Sequence, residues 1–193
     1  ERNAIQGLPA AERADIKLMP QGVGPALAKA FDLPEPAIMG DAPFGDMYLS
    51  TKIPAAKRAA VLDAALKHYR THPQVEAVIT KDEIAATPSP SGPPEDWSLI
   101  QRVRANFDPS RSGDFYVALK RYVTPIPNTS FGYVATHGSP WGYDRRVPIL
   151  FWWNGVAPYE QPNGIETVDI LPTLASLIGL EVPKDEIDGR CVD

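Results

Sequence analysis

The feature that most constrains this chain is residues 131–153, FGYVATHGSPWGYDRRVPILFWW, an apolar segment, a polar loop and a second apolar segment. Tyr133, Val134 and Ala135 read as a short strand that ends at Thr136-His137-Gly138-Ser139. The polar loop spans 140–146, and residues 147–153 read as a second strand. That second run lacks period-two alternation, so it is expected to be buried on both faces, as central strands of α/β sheets are. A histidine at the carboxyl end of a buried strand, followed by glycine, stands where open α/β sheets bind ligands. His137 is therefore the candidate functional residue. By residue type it is either a hydrogen-bonded structural side chain, the commoner case for a lone histidine, or a metal ligand, neutral imidazole being the commonest side-chain ligand of metals. One histidine makes no site, because catalytic zinc takes about three protein ligands.

The flanking sequence alternates helix and strand signals. Residues 54–70 carry Leu62, Ala65, Leu66 and Tyr69 at helical spacing behind Pro54, which suits a first turn. Residues 75–80, VEAVIT, and 115–120, FYVALK, read as strands. Shorter helices are expected at 25–31, 97–106 and 170–178, and a short strand at 46–50. In 170–178, Ile170, Leu174, Leu177 and Ile178 form an apolar stripe that reads as packing. Asp169 suits its N-cap and Gly179 its stop. Together these predict an α/β fold in which 75–80, 115–120, 131–136 and 147–153 share one central sheet flanked by helices. Residues 1–50 read as a partly loop-rich segment, and 84–96, rich in Pro and Ser, as a surface loop. His68 and His72 stand four apart, but Pro73 frays the helix there and no HExxH surrounds them, so they read as surface residues.

Composition excludes several classes. A hydrophobic fraction of 44% and a charged fraction of 22% suit a globular domain with a real core at 193 residues. A net charge of −5 without a basic run argues against nucleic acid. No apolar stretch approaches the roughly 20 residues of a membrane span. Cys191, the single cysteine, allows no internal disulfide. The chain opens Glu-Arg-Asn-Ala, with neither an initiator Met nor a signal peptide, and is expected to begin inside a longer polypeptide.

THGSPWGYDRRVPILFW, with Arg111-Ser112-Gly113-Asp114 upstream and VDILPTLASLIGL and DGR downstream, resembles the carboxyl-terminal part of the alkaline phosphatase superfamily. Within it the chain is most similar to bacterial periplasmic alkaline phosphatases with a threonine nucleophile, relatives of the nucleotide pyrophosphatase/phosphodiesterases. The resemblance runs from about Asp46 to Asp193. It implies residues 1–193 as the carboxyl-terminal portion of one catalytic domain, with an alkaline-phosphatase-like central sheet. It also implies hydrolysis of a small phosphate ester with two zinc ions, and a periplasmic or secreted location. The His of the family's HG(S/T) motif is a zinc ligand, here His137. The RSGD motif is expected mainly to shape the start of a strand, with anion binding by Arg111 as the alternative.

The family's other zinc ligands lie beside the nucleophile, in a DxxxH pair and in a later Asp-His. No DxxxH or Asp-His occurs here, and no nucleophile motif is recognisable. No catalytic residue is therefore expected in this chain. The nucleophile and remaining ligands are expected in an N-terminal portion of the same protein, and the isolated chain is expected to be inactive. A phosphodiesterase or sulfatase of the same superfamily is the enzyme alternative, and a non-catalytic binding or structural module is the alternative of another class.

Overall fold

Four strands bonded edge to edge run through the core, between helices that supply the rest of it. The computed structural model describes Gly7, residues 10–128, Ser130, Gly132, Tyr133 and residues 135–192. In chain order these form β1 (Glu12–Arg13), α1 (Pro20–Ala30), β2 (Ile38–Met39), β3 (Gly45–Leu49), α2 (Ala55–Arg70) and β4 (Val75–Thr80). There follow α3 (Lys81–Ala86), α4 (Leu99–Arg104), β5 (Phe115–Leu119), β6 (Val123–Thr124), α5 (Gly142–Arg145) and α6 (Ile170–Leu177). The sheet order is β2-β3-β5-β4 with every neighbouring pair antiparallel, and β1 pairs with β6 in a separate parallel ladder.

Period-two alternation in the strands divides the core into two layers. Met47, Leu49, Val78, Phe115 and Val117 face α2, whose Val61, Ala65, Leu66 and Tyr69 fill the larger cluster. Ala77, Ile79 and Tyr116 face the other way, onto Ile84 of α3 and Val103 of α4. The Tyr69 ring packs 5.7 Å from Phe115, and its hydroxyl donates to the Leu18 carbonyl at 3.2 Å. A buried phenol keeps such a partner because leaving it unmade costs more than the bond gains.

Local chemistry sets the element ends. Thr80 and Glu83 form a reciprocal capping box that turns β4 directly into α3, and Ser98 with Gln101 does the same for α4. Between Thr87 and Trp97 no helix or strand forms. The helix expected at 25–31 begins earlier, at Pro20. A proline at the first helical position loses no intrahelical bond, so Pro20 starts the helix rather than interrupting it.

Two expectations need correction. Residues 147–153 form no strand and lie at the surface, with Leu150 88% and Trp152 79% exposed. Their apolar composition was a burial signal, but no neighbouring strand among the described residues offers them a ladder. The expected strand at 131–136 includes Phe131 and Val134, which lie outside the described residues; Gly132, Tyr133, Ala135 and Thr136 are not in a strand. The central sheet thus comprises 75–80 and 115–119 with β2 and β3. The stripe of α6 is the second correction: Leu174, Leu177 and Ile178 are exposed, Ile178 at 76%, while Thr173 and Ala175 are the buried residues.

Candidate functional site

The loop that carries His137 is tied to the sheet by the side chains that follow it. Trp141 is buried, and its indole N–H donates to the Leu119 carbonyl at the end of β5, 2.9 Å away. Burying an indole in this way needs its one donor satisfied, and the strand's last carbonyl does so. The guanidinium of Arg121 lies over the same indole, 5.0 Å from its centroid. Asp144 closes the turn, its Oδ2 accepting from the Ser139 N–H at 2.6 Å. Tyr143 stacks on Tyr122 at 5.1 Å and accepts from the Tyr122 N–H at 3.1 Å. That contact holds Tyr122 at φ +66°, a left-handed conformation unusual for a non-glycine residue.

Gly138 sits at φ +102°, where only glycine is unstrained, and a Cβ there would face the Phe44 ring at 3.8 Å. The residue before it, His137, is exposed. Among the described residues no group of three or more His, Cys, Asp or Glu side chains is placed to hold a metal. The 136–146 loop itself carries one imidazole, that of His137.

A pair of arginines reaches across from other elements. Arg102 of α4 donates through Nη1 to the Pro140 carbonyl at 3.3 Å and through Nη2 to the Glu95 carbonyl at 3.4 Å. Arg145 of α5 donates to the Pro94 carbonyl at 3.2 Å and lies 5.3 Å from the centroid of the buried Trp97. Burial first, and the neighbouring Arg102 cation next, lower the pKa of Arg145 below the usual guanidinium value. Sequence reasoning missed Arg102 and Trp97. Neither belongs to a spaced motif, and only the folded chain brings α4 against the 140–145 turn.

The RSGD segment has a structural task. A Cβ at Gly113 would lie 2.6 Å from the Met47 carbonyl oxygen, so β3 passes against bare backbone there. The Asp114 N–H donates to that same carbonyl at 2.8 Å, and Asp114 Oδ2 accepts from the Leu49 N–H at 2.8 Å. Arg58 of α2 completes the clamp with a 2.7 Å bond to Asp114 Oδ1. Arg111 is exposed beside a cavity of about 710 Å³ that Lys81 and Asp46 also line, and its carbonyl accepts from the Tyr48 hydroxyl. The motif therefore joins β3, β5 and α2.

The downstream motifs also meet. Asp169 is buried, its carboxylate accepting from the Glu166 and Arg190 N–H groups at 2.9 Å each. It does not cap α6 with its side chain. Gly189 lies so close to Val168 and Asp169 that a Cβ would overlap their backbone, which explains the glycine of DGR. His68 and His72 are no metal pair: His68 Nε2 meets the Lys17 carbonyl, whereas His72 Nε2 lies 3.5 Å from Asp15 Oδ2.

No family model matches the chain. It is 56% identical over 195 residues to alkaline phosphatase PhoK of a Sphingomonas species, covering 100% of this chain and 35% of that protein. It is 44% identical, again over its full length, to alkaline phosphatase PhoD of Zymomonas mobilis, of which it covers 34%. Among solved structures, a crystal structure of wild-type alkaline phosphatase PafA superposes with a TM-score of 0.73 and 21% identity, over 99% of this chain and 34% of that one. At that identity the superposition shows the fold, a mixed α/β arrangement with helices on the sheet. The chain spans about a third of the length of these relatives.

Proposed function

Because the chain belongs to the alkaline phosphatase superfamily as a carboxyl-terminal part of such an enzyme, we propose that it completes a zinc-dependent phosphate monoester hydrolase by supplying one zinc-ligand imidazole, that of His137. The observation that carries this reading is the anchored HGSPWGYD turn, which presents an exposed imidazole on a loop fixed by Trp141, Asp144 and Arg102. A ligand needs such an anchor, since a metal site tolerates little positional freedom in its donors. The nucleophile, the other ligands and a second zinc ion belong, on this reading, to the remaining portion of the same protein. That portion is also the chain's physical partner, and the substrate is a small phosphate ester. The location is periplasmic or secreted. Among the described residues no helix is long and apolar enough to cross a membrane.

The test is made in the full-length protein. His137→Ala should leave about one zinc ion where two are bound, and lower turnover of p-nitrophenyl phosphate by more than about 100-fold, the upper end for losing even an outer partner of a ligand. Ser139→Ala should change neither by more than a few-fold. Comparison with bis(p-nitrophenyl) phosphate separates monoester from diester preference. Metal analysis showing both ions retained in His137→Ala at a near-normal rate would remove the residue from the metal site. The isolated 193-residue chain should show no metal-dependent turnover.

A further inference from the structure

Four arginines, Arg102, Arg121, Arg145 and Arg146, line one cleft of about 1300 Å³ whose other wall is the apolar segment that includes Leu150 and Trp152. Two of them are committed elsewhere or peripheral: Arg121 covers Trp141, and Arg146 is exposed. Arg102 and Arg145 are partly buried and converge from α4 and α5. Their described hydrogen bonds go to neutral carbonyls of Pro94, Glu95 and Pro140. Among the described residues, neither guanidinium lies within ion-pairing distance of a carboxylate. The Nε of Arg102 is buried and has no hydrogen-bond partner. Glu95 turns its carboxylate toward Gly164, and Glu166 acts on Arg145 only at a distance, more weakly than Arg102 does.

We propose that Arg102 and Arg145 together form a socket for a carboxylate carried by the part of the protein outside this chain. The proposal rests on the reading that the chain is one part of a longer protein. Charges drawn out of water are favoured in pairs, and partial burial gives these two cations that preference. Two like charges brought close make an anionic partner more favourable still. The exposed Leu150 and Trp152 beside the pair would shield the contact from water once covered. Relatives about three times as long leave ample polypeptide to supply the acid. A guanidinium pair selects a planar carboxylate because its parallel donors match two oxygens.

The full-length protein tests this by double-mutant cycles. Arg102→Met and Arg145→Met, alone and combined, are crossed with Asp→Asn or Glu→Gln at each acidic residue outside residues 1–193. One acidic position should couple to both arginines, each single loss raising the unfolded fraction by about 30-fold and the combined loss adding little further. Arg102→Lys should recover only part of the loss. If no acidic position couples, the proposal fails. If millimolar inorganic phosphate stabilises the wild-type protein but not the double variant, the socket takes a free anion and the proposal is likewise overturned. Phosphatase turnover is measured separately. Its absence with coupling intact would defeat the functional reading and leave the socket standing.

Discussion

Gly113→Ala is the substitution whose consequence the structure fixes most closely. Its Cβ would lie 2.6 Å from the Met47 oxygen and 2.8 Å from the Met47 nitrogen, against ordinary contact beginning at 3.4 Å. The shortfall at the oxygen is 3.4 − 2.6 = 0.8 Å, and the obstructing atoms are backbone, with no rotamer to yield. Gly113 has no left-handed φ, so an alanine there suffers the clash and no conformational strain. Relief requires β3 to move away from the 113–114 turn. That move stretches the 2.8 Å bond from Asp114 N to Met47 O and the 2.9 Å bond from Gly113 N to Asp46 Oδ1. Overpacking costs about 1–3 kcal/mol and each weakened hydrogen bond about 1 kcal/mol. The expected loss is therefore about 3–5 kcal/mol, or on the order of 10 °C in Tm for a chain of this size.

Thermal unfolding followed by tryptophan fluorescence checks it. Gly22→Ala is the control, because Gly22 lies in α1 with nothing within 4 Å of its would-be Cβ. That change should be neutral or stabilising by up to about 1 kcal/mol, from helix propensity alone. If Gly113→Ala unfolds within about 2 °C of Gly22→Ala, using the conversion for a domain this large, the close approach is not rigid. The clamp role of RSGD then falls.

Asp114→Asn should lower stability by about 1–2 kcal/mol in urea unfolding, a figure kept small because Arg58 is partly exposed. The new amide presents a donor to either the Leu49 N–H or Arg58, so a rise in stability would contradict the clamp. Stability should also fall in alkali. Burial raises the pKa of Tyr116 from 10.0 to about 12, and burial raises that of Tyr69 as well. The unfolded chain therefore releases phenolic protons that the native state still holds. Stability intact below pH 10.0 is lost as pH rises toward about 12. Tm measured from pH 9 upward, over this phenolic range, should drop less steeply in Tyr116→Phe, and identical slopes would exclude Tyr116 as a source.

The sheet was legible where short runs of β-branched and aromatic residues stand between turns. Residues 75–80 and 115–119 carry apolar side chains to both faces and are bounded by turn chemistry, and they lie in one sheet as expected, where they are direct neighbours. The helix at 54–70 was legible from its spacing, since Ala65, Leu66 and Tyr69 must meet a core. Helix α3 was not, because its six residues contain one buried apolar position, Ile84, too few for a period to register. The anchoring of the His137 loop was invisible for another reason. Trp141 announces burial by type, but its partner carbonyl of Leu119 lies 22 positions away, and Arg102 lies 38 positions from the Pro140 carbonyl it donates to.

The failure at 147–153 is the more informative one. Composition reports how much apolar surface a segment needs to bury, whereas structure reports what is present to bury it. Leu150 and Trp152 still carry that need while standing 88% and 79% exposed, and Leu174 of α6 and Ile178 just after it carry it too. Extensive exposed apolar surface on a globular protein marks an interface. On the proposed reading that surface is covered by the other two thirds of the protein, and the covering polypeptide brings the carboxylate to Arg102 and Arg145 and the remaining ligands to His137. One docking event would then satisfy three separate deficits, an apolar, an ionic and a coordinative one. They should accordingly be lost together: in the full-length protein, Trp152→Asp should expose the 147–166 segment to limited proteolysis and release zinc in parallel. Proteolysis without zinc release would separate the apolar contact from the metal site.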